Sequence, residues 1–117
     1  MKIRKFSVVV TCIMIPAMSY AQDFDFANFS KAVERAHELG TACQDSVDAD
    51  EMTPQCEKFL NYYNGEYDEQ VVLLSEEMSR NGARFIDDIG YDEFDRVYEL
   101  NGQVERMEIF AYDLKYN

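Results

Sequence analysis

Tyr98-Glu99-Leu100-Asn101-Gly102-Gln103-Val104 admits two folds. Asn-Gly is the favoured pair for a two-residue β-hairpin turn, and here it would join strands at residues 94–100 and 103–110. That pairing sets Val97 opposite Arg106 and Glu99 opposite Val104, so neither face of the ribbon keeps one character. The same stretch also lies inside a longer pattern. Val97, Leu100, Val104, Met107, Ala111 and Leu114 recur at steps of 3, 4, 3, 4 and 3, the period of one helix face. A helix through the Asn-Gly pair costs only the propensity of one glycine, about 1 kcal/mol. The periodicity therefore predicts helix over residues 91–114 and an all-α fold. The alternative is an α+β fold with a C-terminal β-hairpin around Asn101-Gly102.

Upstream, the pattern repeats. Thr53-Pro54 reads as a helix start, with Thr53 as N-cap and Pro54 in the first helical position. Glu57 suits the positive end of the helix dipole. Cys56, Leu60, Tyr63, Tyr67, Leu74 and Met78 form the inward stripe of this second segment, with Asn64-Gly65 a candidate break. Arg80-Asn81-Gly82 supplies a cation and then a C-cap glycine as its stop. Earlier still, Phe26, Phe29, Val33, Ala36, Gly40, Cys43 and Val47 recur at 3, 4, 3, 4, 3 and 4. Gly40 either admits a close neighbour or ends this first helix early. Gln22 to Asp25 reads as a loose terminus, and residues 48–52 as an acidic loop between the two helices. The expected architecture is a small helical bundle, or a helical hairpin followed by a C-terminal helix.

The N-terminal residues read as an address. Met1-Lys2-Ile3-Arg4-Lys5 carries three cations. An apolar run from Phe6 to Met18 follows, broken only by Ser7, Thr11 and Pro16, and Ser19-Tyr20-Ala21 places small residues at −3 and −1 of a cut. This is the order of a secretory signal peptide over residues 1–21. The run is too short for a span that needs roughly 20 apolar residues. A lipoprotein box at Cys12 fits poorly, because Thr11 is large for the preceding position and the apolar run continues beyond it. The expectation is export to the periplasm or beyond, a single acidic helical domain over residues 22–117, and no later membrane span. Cys43 and Cys56 are then the two cysteines left. In an oxidising compartment they are expected to pair. Their spacing is unlike the Cys-x-x-Cys of a reactive dithiol, and closing a 14-residue loop stabilises by about 3 kcal/mol in the chain-entropy model. The bridge would fasten the top of the hairpin.

The full chain has 11 Lys and Arg against 23 Asp and Glu, a net charge of −12. Residues 22–117 keep 8 of those cations and all the acids, for a net −15. Such a charge argues against nucleic acid and against anionic lipid as partners. It favours a cationic protein or peptide, or a divalent cation. Little in the sequence supports catalysis. His37 is the sole histidine, no Gly-x-Ser-x-Gly elbow is present, and no free thiol is expected. Glu34-x-x-His37 matches one half of a di-metal bundle site, but there is no second half. Asp45, Asp48 and Asp50 have the charge of a calcium loop. A loop begun at Asp48 places Thr53 where an EF-hand needs glycine and Phe59 where it needs glutamate. The expectation is no enzyme, no catalytic residue, no metal site and no cofactor.

Tyrosine is the remaining signal, with seven in residues 22–117 and no tryptophan. Tyrosine is enriched at protein interfaces, where it combines apolar area with a polar tip. Tyr62, Tyr63 and Tyr67 lie beside Glu66, Asp68 and Glu69, and these six are the expected partner-binding residues. Tyr63 and Tyr67 share a helix face, with Tyr62 about 100° round from it. The leading functional expectation is an exported cell-envelope binding protein, for instance an inhibitor or immunity protein against a cationic partner. The alternatives are a divalent-cation-responsive protein and a structural subunit of an envelope assembly.

Overall fold

A computed structural model describes residues 23–116, so the signal-peptide reading of residues 1–21 lies outside the described residues. The chain folds as α1 (Phe26–Ser46), α2 (Pro54–Tyr62), a π-helical turn (Tyr63–Tyr67), α3 (Asp68–Asn81), α4 (Phe85–Ile89) and α5 (Tyr91–Tyr116). Helix α2, the π-turn and α3 form one continuous rod, so Asn64-Gly65 does not divide it. Among the described residues there is no strand, and α5 passes through Asn101-Gly102 without interruption. Periodicity overrode turn chemistry there because the helix buries Val97, Val104, Met107 and Ala111 on one face, which a hairpin could not do.

The helix ends are where local chemistry puts them. Asp25 caps α1 by accepting from the Ala27 N–H at 3.0 Å, so the expected loose terminus is ordered from Asp25 onward. Phe24 also packs, with its ring 5.1 Å from Phe85 and 6.1 Å from Phe29. Thr53 caps α2 by accepting from the Cys56 N–H at 3.2 Å. Gly82, with φ of 67°, ends α3, and its N–H returns to the Met78 carbonyl at 2.9 Å. That positive φ is the conformation in which glycine avoids a Cβ clash. Gly90, with φ of 90°, makes the corner between α4 and α5. Helix α4 was not legible in the sequence because five residues are too few to show a period.

Contacts along the rods give their directions. Phe26 faces Phe94, Glu34 meets Arg96, His37 meets Gln103, and Gly40 lies against Met107. Positions on α1 and α5 rise together, so these helices run parallel. Cys43 is bonded to Cys56, and Tyr67 is bonded to Asn101, so the α2–α3 rod runs antiparallel to both. The result is an up-down-up three-helix bundle, with α4 as the crossover at its base. The base core is aromatic: Phe24, Phe26, Phe29, Phe85 and Phe94 meet one another with ring centroids 5.1–6.4 Å apart. At the top lies the disulfide, with both cysteines fully buried beside Phe59. Ser46 ties the two helices there again, donating to the Cys43 carbonyl and sharing a 2.6 Å hydrogen bond with Thr53.

Gly40 resolves in favour of close approach. A Cβ placed there would press on the Met107 sulfur and stand 3.2 Å from Phe59 Cε1. Helix α1 therefore continues past it to Ser46. The structure also buries Phe59 completely, although it was absent from the expected stripe. It lies between Cys56 and Tyr63 on the widened inner face where α2 touches both α1 and α5.

Candidate functional site

The expected contact residues fall on the π-turn and its flanks. A π-turn inserts one extra residue per helical turn, leaves carbonyls displaced from the regular ladder, and is frequent at functional sites. Consecutive residues of the rod stand about 100° apart, so Tyr62 and Tyr63 serve different sides of it. The six expected residues consequently do not form one patch.

On the side facing α1, Tyr62, Glu66 and Glu69 line a shallow hollow of about 340 Å³ together with Asn28, Lys31 and Arg35. Gln70 lines the same hollow, and its Oε1 is buried without a hydrogen-bond partner among the described residues. Burial, and then the Glu66 carboxylate, push the Tyr62 hydroxyl above its ordinary range, while Arg35 acts the other way. Lys31 and Arg35 thus offset part of the acid on this side.

On the side facing α5, Tyr63 and Asp68 are joined by Glu105 and Glu108. The Tyr63 ring is half-buried, stacked on Tyr67 at 4.8 Å and edge-on to Phe59 at 6.0 Å. Burial, followed by the fields of Glu108, Glu105 and Asp68, pushes its hydroxyl up to about 12. Glu108 is itself raised, first by burial and then by Glu105. Among the described residues the ion pairs are Arg35–Glu38, Arg96–Glu34, Arg96–Glu93 and Lys115–Glu57. None of them involves Asp68, Glu105 or Glu108. Three carboxylates therefore act on the Tyr63 hydroxyl, and among the described residues none of them is in an ion pair. Glu105 and Glu108 escaped the sequence reading because α5 delivers them from some forty residues away. Their i, i+3 spacing is common to many acidic helices and carries no signal by itself.

Tyr67 departs from the expected contact role. It is only 3% exposed, and its hydroxyl donates to Asn101 Oδ1 on α5. The physical reason is the inward stripe of Cys56, Leu60 and Tyr63, which continues down the rod to Tyr67. Burial, followed by Tyr63 and Glu105, raises its hydroxyl pKa, with the Asn101 hydrogen bond pulling the other way. Tyr67 thus supports the Tyr63 ring from beneath.

The remaining candidates hold partners within the fold. His37 Nε2 hydrogen-bonds Gln103 Oε1 at 2.7 Å, half-buried between α1 and α5. Glu34 pairs with Arg96 at 3.1 Å, and Arg96 also grips Glu93 at 2.8 Å. The Arg96 hydrogen bond lowers the Glu93 pKa. Asp48 and Asp50 stand exposed in the loop before α2. Among the described residues no three His, Cys, Asp or Glu side chains gather closely enough to hold a metal ion, and no helix is long and apolar enough to cross a membrane. No family model, no curated protein and no solved structure matches the chain.

Proposed function

We propose that this chain is an exported binding protein of the cell envelope that takes a cationic protein or peptide on the α5 side of its π-turn, and acts by binding rather than by turnover. An inhibitor or immunity protein for a basic envelope enzyme or toxin is the concrete form. The observation that carries the reading is the half-buried Tyr63 ring, stacked on Tyr67 at 4.8 Å, whose hydroxyl feels Asp68, Glu105 and Glu108, none of which is in an ion pair among the described residues. A lysine or arginine of a partner would relieve the repulsion between Glu105 and Glu108. It would also meet an aromatic face, an attraction worth about 0.5–2 kcal/mol depending on desolvation. On the other side of the rod, the unpartnered Gln70 acceptor and Tyr62 offer a second contact of the same polarity. The signal-peptide pattern and the two paired cysteines are consistent with an oxidising compartment outside the cytoplasm.

The test is capture from envelope extract on immobilised protein, identification by mass spectrometry, and affinity measurements on the purified partner. A basic partner is expected, with an on-rate that falls steeply with salt. Tyr63→Ala should weaken binding about thirtyfold, the scale of a true interface hot spot. A neutral or acidic partner, or one held equally well by Tyr63→Ala, sinks the reading. Tyr67→Ala is the folding control, because it should lower stability whatever the partner does.

A further inference from the structure

Helix α5 carries a second apolar stripe, on the side turned away from the core. Tyr91, Tyr98, Ile109 and Tyr116 are 59–67% exposed, and Tyr112 is 38% exposed. At about 100° per residue these five fall within about 60° of one another round the helix, centred about 135° from the buried face of Val97, Val104, Met107 and Ala111. Taken in order, positions 91, 95, 98, 102, 105, 109, 112 and 116 alternate steps of 4 and 3, a heptad seam about 38 Å long. Three of those positions are not apolar: Asp95, Gly102 and Glu105. Arg106 lies beside Gly102, its Nη1 3.8 Å from where a Cβ would stand. The two acids sit inside a seam that would otherwise suit another helix. Glu105 also faces Tyr63, so the seam is continuous with the acidic aromatic site on the π-turn.

We infer that this face docks a cationic amphipathic helix of the partner, with apolar residues against the tyrosines and Lys or Arg opposite Asp95 and Glu105. This rests on the cationic-partner reading above and extends it along α5. Charge selects the occupant. A second copy would bring its own −15 and set acids into the shared seam against acids, where like charges destabilise. A basic helix neutralises the same two positions. A regular 3-4 spacing of knobs on a 26-residue helix matches a helical partner, and would be out of step with an extended strand.

Two synthetic peptides of about four heptads test the inference against the protein spanning residues 22–117. One places Leu at the seam positions except for Lys opposite Asp95 and Glu105, with Lys on the remaining faces. The other has the same composition in scrambled order, without an apolar stripe. The amphipathic peptide should bind about tenfold more tightly or better, and should shift the backbone amide NMR signals of residues 91–116. Tyr98→Ser combined with Ile109→Ser should cost about tenfold or more in affinity, as should Asp95→Lys. Asp95 and Ile109 are exposed, so Asp95→Lys should melt at the wild-type value, while the double variant should melt slightly lower because Tyr98 stacks on Phe94 at 5.8 Å. Equal binding of the two peptides, or unchanged affinity in the double variant, overturns the inference. Shifts confined to Tyr62, Tyr63 and Glu108 also overturn it, while leaving the cationic-partner reading in place. Failure of both peptides to bind removes both readings. A concentration-dependent dimer in sedimentation, lost in the Tyr98→Ser and Ile109→Ser variant, overturns it in favour of a second copy.

Discussion

At Gly40 and Tyr63 single side chains decide packing and charge. Alanine at position 40 would gain about 1 kcal/mol of helix propensity. Its Cβ would meet Met107 and the fully buried Phe59, which has no room to withdraw, and overpacking of this kind costs about 1–3 kcal/mol. Gly40→Ala should therefore lower the melting temperature, measured by circular dichroism. Tyr63 ionises near 10 in the unfolded chain and at about 12 in the fold. Between those values the unfolded chain has lost a proton that the folded chain still holds. Its contribution is therefore fully present below about pH 10 and lost as pH rises toward about 12. Urea unfolding across that alkaline window should show stability falling, and Tyr63→Phe should make the fall shallower. An identical slope in the variant would assign the loss to other groups, Tyr67 first among them.

At the scale of elements, the disulfide and the long helix α5 make opposite predictions. The bridge joins the last turn of α1 to the first turn of α2, where Thr53 and Ser46 already fix the geometry. Replacing Cys43 and Cys56 by serine should cost about 3 kcal/mol if the effect is loop entropy in the unfolded state. Chemical denaturation of the double variant measures this, and a loss well under 1 kcal/mol would show that the capping network alone closes the hairpin. In α5, Gly102 carries no such constraint: a Cβ there would approach only Arg106 Nη1, at 3.8 Å. Gly102→Ala should stabilise by up to about 1 kcal/mol, the propensity difference. The two glycines sit on parallel helices and should respond with opposite signs, because one faces the core and the other does not.

For the molecule as a whole, the acidic site sets stability against binding. The Glu108 pKa is raised in the fold by burial and by Glu105. A carboxyl with a raised folded pKa favours the fold while protonated, and that contribution is lost as pH rises from the ordinary carboxylate range through the folded value. At neutral pH, then, the charge works against the fold. Glu108→Gln should raise the melting temperature at neutral pH, bring no gain at pH about 3 where the carboxyl is already protonated, and weaken capture of a cationic partner. A variant that is more stable and binds equally well would separate this charge from function.

Helical character was legible from residue order because burial at 3.6-residue spacing leaves a periodic trace. The stripes of α1 and α5, the Thr53 cap, the Gly82 stop and the pairing of Cys43 with Cys56 all follow from local chemistry or from the exclusion of alternatives. The tertiary structure decided which carboxylates share a space. Glu105 and Glu108 reach Tyr63 only because α5 runs antiparallel to the α2–α3 rod. It also decided that Glu66 and Glu69 turn toward α1 with Tyr62, away from Tyr63 and Asp68. A π-turn shifts the phase of a helix by a fraction of a turn, and a wheel drawn at a constant 100° per residue contains no such shift. The exposed stripe of α5 was present in the sequence from the start. Its spacing alone does not say that it stays uncovered; the packing of α5 against α1 through the other face does.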